Sequence, residues 1–170
     1  MTVLYCDPSA RAFGAVLMED EELVGGWCID FIGKSDGSAA DICRVITKGL
    51  SDWLAVIDKN HKLDMIVSEL PIGSQSLKVA WYLSAVQSTI IAFARSRDIT
   101  NVGYKQGVVK KIVHGRHNKV TKKDTINFVF DKLPKFSYIL RGNQDVQSAI
   151  ADALAVYYCH KEKNVEKEVS

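Results

Sequence analysis

The order of apolar runs along the chain restricts its fold more than any other feature. Three short runs with the composition of strands come first, at residues 2–6, 13–19 and 22–32. Polar turn residues separate the second run from the third, and a glycine-containing turn at residues 33–37 follows. Connections this short join antiparallel strands. The chain is therefore predicted to begin with a three-stranded antiparallel meander.

Helical spacing begins after the meander. Apolar residues recur with a helical period at residues 42–57 and 77–92, and each of these helices leads into a short strand, at residues 63–68 and 101–104. Two more helices are predicted at residues 125–133 and 145–159. The predicted order is β-β-β-α-β-α-β-α-α, which indicates an α/β domain.

Three acidic residues lie where these elements would bring them together. Asp7 ends the first apolar run, Glu69 follows the fourth strand, and Asp152 lies on the last helix. Carboxylates at the ends of two adjacent strands and on a helix that crosses them would converge, and hard oxygen ligands suit Mg²⁺ or Mn²⁺. Taken singly, Asp7 is equally a turn residue before proline and Asp152 a surface helix residue. Their joint placement favours a metal site.

Length and composition fit one compact domain. With 170 residues, of which 47% are hydrophobic and 25% charged, the chain can bury a full core. We expect the domain to span residues 1–160, with residues 161–170 as a charged tail and frayed helix end. No apolar run approaches the roughly 20 residues of a membrane span, no signal peptide is recognisable, and the four cysteines form no Cys-x-x-Cys pair. A soluble protein in a reducing, intracellular compartment is expected.

Positive charge is concentrated between Asp98 and Asp124, where no acidic residue occurs. The basic residues of this segment are Lys105, Lys110, Lys111, Arg116, Lys119, Lys122 and Lys123, with His114 and His117 among them. A charge run is usually a solvated face. Here the unbroken sign and the loop that follows Gly115 favour phosphate binding.

The motifs together resemble the RuvC-type Holliday junction resolvases of the RNase H-like superfamily. Residues 7–14 (Asp-Pro-Ser-Ala-Arg-Ala-Phe-Gly) look like the opening Asp-Pro-Gly/Ser turn of that family, Ser68-Glu69 like its second motif, and residues 151–155 (Ala-Asp-Ala-Leu-Ala) like its closing motif. The resemblance covers nearly the whole chain. It implies an RNase H-like fold with a five-stranded mixed sheet, the first strand central and helices on both faces. The compact stand-alone chain with poorly matched linking segments suggests a viral or phage member.

The resemblance implies a homodimeric endonuclease that resolves four-way DNA junctions by paired metal-dependent nicks. Two Mg²⁺ or Mn²⁺ ions would serve each active site. Asp7 would bridge both ions, while Glu69 and Asp152 would each hold one side. A lysine of the basic segment would neutralise charge on the scissile phosphate, and Lys122 and Lys123 are equal candidates.

Other positions are expected to bind DNA or the second subunit. The backbone contacts would be Lys105, Lys110, Lys111, Arg116 and Lys119. Leu70 and Ile72 occupy the place where family members put an apolar wedge at the junction centre, although a buried strand end explains them equally well. The helix at residues 77–96 carries four large residues beyond the face that its own core requires. This predicts an isologous dimer through the helix. The four residues are Trp81, Tyr82, Val86 and Ile90.

One position departs from the family pattern. A second acid or a histidine usually lies one helical turn before the final aspartate, where this chain has Ala149. Asp145 is seven residues from Asp152, about 10 Å along a helix, and is too distant to share a metal comfortably. Ala149 is either an inactivating substitution, which we favour because an aspartate there would restore the pattern, or a natural loss met by Asp145 or water.

Two other functions are compatible with the same residues. A catalytically weakened relative would recognise branched nucleic acid without cutting it, as the missing fourth ligand would permit. Another RNase H-like nuclease would use the same carboxylates on RNA. Cleavage by the Ala149→Asp chain tests the first alternative, and a comparison of substrates tests the second.

Overall fold

Five strands and the helices between them follow the predicted order in the computed structural model. The structure describes residues 1–9, 11–33, 37–70, 76–116 and 119–168, with side chains described as far as residue 165. The strands are β1 (Thr2–Asp7), β2 (Phe13–Glu19), β3 (Glu22–Ile29), β4 (Met65–Leu70) and β5 (Thr100–Lys105). The helices are α1 (Ala39–His61), α2 (Leu77–Ser96), α3 (Gln106–His114), α4 (Lys122–Lys132) and α5 (Gln144–Glu168), with a 3-10 helix at Pro134–Ile139.

The strands form one mixed sheet in the order β3-β2-β1-β4-β5. β1 pairs antiparallel with β2 and parallel with β4, and β4 pairs parallel with β5. The meander, the five-stranded mixed sheet and the central first strand are confirmed. β3 ends at Ile29, three residues before the predicted end, because the chain bends there and Asp30 accepts hydrogen bonds from two following backbone amides.

Helices cover both faces of the sheet, as predicted. Leu4, Leu17 and Ile66 point into a core shared with α1 and α2. Their sequence neighbours Val3, Tyr5 and Val67 point into the opposite core, shared with α3, α4 and α5. Successive strand residues face opposite sides of a sheet, so each buried strand serves both cores.

α3 was missing from the predicted order. It occupies nine residues of the basic segment, and Val109 and Val113 are buried on one of its faces. A stretch this short, carrying charge on its outer face, has a weak helical signal in sequence, and packing on the sheet supplies its stability.

The dimer prediction for α2 was wrong for three of its four residues. Tyr82 is 7% exposed, and Val86 and Ile90 are fully buried in the chain's own core. Only Trp81, at 50%, is exposed. The helix packs against α1 as well as the sheet, and this second partner widens its buried stripe.

α2 also meets the length and composition of a membrane span. No such segment was predicted from the sequence, because serine and threonine interrupt the apolar residues of this helix. Six of its residues are buried in the core beside the sheet. This is how a core helix packs.

α5 is the longest helix and runs past the predicted domain boundary. Residues 160 and 161 lie within the same helix, and Lys161 Nζ pairs with Glu21 Oε2 at 2.8 Å. The tail predicted from residue 161 is thus helical as far as Glu168. The division into a domain and a separate tail stays a prediction.

Candidate active site

The register of β1 and β4 places Asp7 beside Glu69. Cys6 pairs with Ser68, so the next residue of each strand stands side by side at the same end of the sheet. Val3, Tyr5 and Val67 face the core under α5. With a period of two, Asp7 and Glu69 face the same way. Two carboxylates therefore meet on the face that α5 crosses.

The third carboxylate arrives because α5 approaches β2 very closely. Gly14, which pairs with Asp7, lies so near Ala149 that a Cβ there would fall 1.9 Å from the Ala149 carbonyl oxygen. Only glycine permits this approach. The buried alanines on either side of Asp152 have short side chains, so the helix seats directly on the sheet.

Asp7, Glu69 and Asp152 line one cavity of about 170 Å³. We call it the acidic cleft, and Gln106, Lys110 and Lys122 also line it. α3 and α4 form its outer wall, since these polar residues project from them. The three predicted carboxylates are thus brought together from β1, β4 and α5.

Burial and mutual repulsion make these carboxyls reluctant to ionise. Burial, and then the charges of Asp152 and Glu69, raise the pKa of Asp7 well above its ordinary value. Burial, and then Asp152, raise the pKa of Glu69 to about 7, and burial raises the pKa of Asp152 to about 6. A nearby cation would reverse this effect, because it favours the ionised form.

The donor set fits a hard divalent cation. Three carboxylates offer only oxygen ligands, and their mutual repulsion is the electrostatic condition that a cation relieves. Within the part of the chain that the structure describes, no three His, Cys, Asp or Glu side chains already lie close enough to hold one ion.

Lys110 faces all three acids. Against the larger effect of burial, its charge lowers the pKa of Asp7, Glu69 and Asp152, and Lys122 adds to this effect at Asp152. The sequence had suggested Lys110 as a general DNA contact, because the helix that turns it inward has too weak a pattern to be predicted. Its neighbour on the same helix, Lys111, is exposed.

The structure separates Lys122 from Lys123. Lys122 lines the acidic cleft, and its Nζ pairs with Asp145 Oδ1 at 2.6 Å. Both lysines are exposed, but Lys123 does not line the cleft. Asp145, too far along α5 to be a comfortable ligand, is thus connected to the cleft through Lys122.

The remaining basic residues lie at the surface around α3. Lys105, at the end of β5, and Lys119 are exposed. Arg116 is also exposed, and its Nη2 lies 3.5 Å from Asp124 Oδ2, so part of its charge is already compensated. His117 lies outside the described residues.

Leu70 and Ile72 were the two residues predicted to form an apolar wedge. Leu70 is half-buried and packs so closely on Gly103 of β5 that a Cβ at Gly103 would lie 2.7 Å from its side chain. This is the contact of a strand end. Ile72 lies outside the described residues.

Ala149 does not line the acidic cleft and is 3% exposed. Ser148, its neighbour, donates a hydrogen bond to Asp152 at 3.3 Å between Oγ and Oδ2. The polar partner of Asp152 on α5 is therefore four residues upstream, not three.

Sequence reasoning missed several polar side chains of the cleft. Burial raises the pKa of Glu69 and of Asp152, and the Gln106 side chain and the Thr125 hydroxyl respectively offset part of this rise. Burial lowers the pKa of His114, which also lines the cleft. Ser148 could have been found from its helical spacing to Asp152, whereas the others depend on how α3 and α4 pack.

No family model and no curated protein matches this sequence. The similar solved structures include Thermus thermophilus RuvC in complex with a Holliday junction substrate, with a TM-score of 0.68 and 12% identity over 95% of this chain and 96% of that one. A further T. thermophilus RuvC structure has a TM-score of 0.65 and 16% identity, covering 95% and 93% of the two chains. The yeast mitochondrial Holliday junction resolvase Ydc2 has a TM-score of 0.59 and 13% identity, covering 99% and 86%. The fold is that of these resolvases, and the predicted RNase H-like fold is confirmed.

Proposed function

We propose that the chain is a structure-specific endonuclease that resolves four-way DNA junctions by paired, metal-dependent nicks. The observation that carries this proposal is the convergence of three half-buried carboxylates, from two adjacent strands and a crossing helix, in one cleft beside Lys110. Solved proteins with the same fold are named as Holliday junction resolvases, and one of them is bound to a junction. Fold alone does not give function, so the site carries the argument.

Asp7, Glu69 and Asp152 would hold the Mg²⁺ or Mn²⁺ ions, two for each site. When bound, such ions activate water and stabilise the leaving oxygen of a phosphodiester. Gln106 lines the cleft with Glu69 and favours its ionised form, and Lys110 supplies positive charge beside all three carboxylates. These two residues prepare the cleft for a phosphate group.

The exposed lysines around the cleft would follow the DNA backbone. Lys105, Lys111 and Lys119 are all exposed near or on α3, which forms one wall of the cleft. A DNA strand bound across the cleft would pass these charges. Their role is sequence-independent affinity, because phosphate contacts carry no base information.

Two nicks in opposing strands need two active sites, so we infer a homodimer. α2 has an exposed stripe in which Leu77, Trp81 and Ile91 are 71%, 50% and 36% exposed. Ser84 and Ser88 lie between them at helical spacing and allow close approach. This stripe replaces the buried residues that the sequence had suggested.

The test compares a four-way junction with flap, duplex and RNA–DNA hybrid substrates, each with Mg²⁺, Mn²⁺ or chelator. We expect metal-dependent cleavage that is fastest on the junction. The Asp7→Asn chain should bind the junction as well as the wild type, or more tightly, and should not cut it, because it loses a ligand and a negative charge near the phosphates. Fastest cleavage of the hybrid would instead indicate a nuclease acting on RNA.

A branched-DNA binding protein without cleavage is the second candidate. Among the described residues, three acids line the cleft and Ala149 does not, and a site with fewer ligands binds cations less tightly. Junction binding by the wild type without cleavage of any substrate, with either Mg²⁺ or Mn²⁺, would establish this alternative. An intracellular, reducing compartment and a viral or phage origin stay predictions from the sequence.

A further inference from the structure

Asp152 lies between two hydroxyl groups that come from different helices. Ser148 donates from one turn upstream in α5, with Oγ 3.3 Å from Asp152 Oδ2. Thr125 lines the same cleft from α4, and its hydroxyl favours the ionised form of Asp152 against the larger effect of burial. An ionised carboxylate can only accept hydrogen bonds, so a hydroxyl that interacts with it turns its proton towards it. Hydroxyl groups from two helices therefore approach Asp152.

The Thr125 hydroxyl has a second partner, His114. The His114 Nε2 and Thr125 Oγ1 atoms are 3.4 Å apart. With its proton turned towards Asp152, the hydroxyl oxygen of Thr125 accepts from the imidazole, and this arrangement requires the His114 tautomer that carries a proton on Nε2. The result is one directed chain from imidazole to hydroxyl to carboxylate.

The surroundings hold this chain in place. Thr125 is 5% exposed, so water competes little for its hydroxyl. The His114 ring packs edge-on against Phe128, with 5.8 Å between ring centroids. Phe128 lies almost one turn after Thr125 on α4, so the ring contact and the hydrogen bond both tie the end of α3 to α4.

We propose that His114, acting through Thr125, positions the Asp152 carboxylate for divalent cation binding in the acidic cleft. The proposal rests on the metal-dependent function proposed above. His114 is a positioning residue, since it acts through another side chain. Hydrogen-bond partners behind a metal ligand fix its orientation, and their loss typically lowers metal affinity about 10- to 100-fold.

The experiment measures Mn²⁺ binding to the full chain without DNA, by electron paramagnetic resonance titration. Thr125→Val keeps the side-chain shape and removes the hydroxyl, while His114→Phe keeps a ring against Phe128 and removes the donor. Each should lower Mn²⁺ affinity about tenfold. Thr125→Ser and His114→Gln keep a hydroxyl and an N–H donor respectively, and each should stay within about twofold of the wild type.

Thr89→Val is the matched control. Thr89 is also buried, at 6% exposed, but its hydroxyl donates to Ala85 O within α2, on the other side of the sheet. Its Mn²⁺ affinity should equal that of the wild type. If Thr125→Val does not fold, the partly exposed His114 position decides the question through His114→Phe and His114→Gln.

Wild-type Mn²⁺ affinity in Thr125→Val and His114→Phe would overturn the inference, even if the chain cleaves junctions. Equal losses in the conservative variants or in Thr89→Val would also overturn it, because the effect would then be structural. Mn²⁺ binding that depends on Thr125 and His114, in a chain that cleaves no substrate, would support the inference and refute the nuclease. A wild type that binds no Mn²⁺ would overturn both.

Discussion

Three carboxyl groups of the acidic cleft lower the stability of the folded chain when they are ionised. Asp7, Glu69 and Asp152 are each half-buried, and repulsion among them adds to the cost of removing their carboxylates from water. Lys110 compensates for part of this repulsion. The repulsion that remains makes the stability of the chain depend on pH and on cations.

The first prediction concerns Asp7→Asn in chelator. The folded-state pKa of Glu69 is about 7 and that of Asp152 about 6, both above the values near 4 of an unfolded chain. Folding therefore favours the protonated carboxyls, and their contribution to stability is complete below about pH 4 and is lost as pH rises towards about 7. Asp7→Asn removes one repelling charge, so it should be more stable than the wild type at pH 8, by about 1–3 kcal/mol, and similar to it at pH 4.

Thermal unfolding of both chains across this pH range measures the difference. Mg²⁺ or Mn²⁺ at pH 8 should raise the melting temperature of the wild type more than that of Asp7→Asn. A constant difference between the chains at every pH would show that Asp7 is not repelled by its neighbours.

The second prediction compares two adjacent lysines. Lys110 faces the carboxylates, and Lys111, next to it on α3, is exposed. Lys110→Ala should slow junction cleavage far more than it weakens binding, because charge near the reacting phosphate stabilises the transition state. Lys111→Ala should weaken binding to every DNA shape, lower the salt dependence by about one phosphate contact and leave the rate with saturating DNA unchanged.

Cleavage rates with saturating DNA and affinities at several salt concentrations separate the two effects. If Lys110→Ala and Lys111→Ala changed cleavage rate and affinity equally, Lys110 would be a general contact to the DNA backbone. By the same measurement, Lys122→Ala should affect cleavage more than Lys123→Ala, since only Lys122 of this pair lines the cleft.

At the scale of secondary-structure elements, the contact of α5 with β2 places Asp152. The backbone of Ala149 lies so close to Gly14 that a methyl group on Gly14 would have no room. Neither partner can yield easily, because one is a central strand of the meander and the other a buried helix. The position of α5, and with it the cleft, depends on this one glycine.

The third prediction is that Gly14→Ala destabilises the chain by about 1–3 kcal/mol or more, as overpacking of a rigid site does. Gly49→Ala is the control. Its Cβ would lie 3.2 Å from the Phe31 ring, a side chain that can move, and alanine favours the helix in which Gly49 lies. Chemical denaturation of both variants measures the difference, and a Gly14→Ala chain as stable as the control would show that α5 is free to shift.

At the scale of the whole molecule, one face of α2 is left without a partner within the described residues. The exposed stripe of Leu77, Trp81 and Ile91 lies on a helix whose opposite face is buried in the core. Large apolar residues at helical spacing on an exposed face suit a symmetric contact between two copies.

The fourth prediction is that the chain is a dimer at micromolar concentration and that Trp81→Glu makes it a monomer. Val56→Glu is the control, because Val56 is 55% exposed on α1 and lies outside the stripe. Sedimentation velocity measures the oligomeric state. A wild-type monomer, or equal dissociation by both substitutions, would reject the dimer through α2.

The sequence by itself determined the sheet and the three carboxylates. Strand alternation and strand ends are local properties, so the sequence placed Asp7 and Glu69 each at the end of a strand. The helical period placed Asp152 on the last helix. The adjacency of the two strands, and Ala149 as the position without an acid, came from the resemblance to the resolvase family.

Only the tertiary structure decided which polar groups surround the carboxylates. Lys110, Thr125 and His114 reach the cleft because α3 and α4 pack on α5, and α3 has too weak a local signal to be predicted. In the same way, packing against α1 buried Tyr82 and Val86, which the sequence had assigned to a dimer. A helix's own pattern shows that it has an apolar face, but how much of that face is covered, and by which element, depends on contacts between segments far apart in the chain.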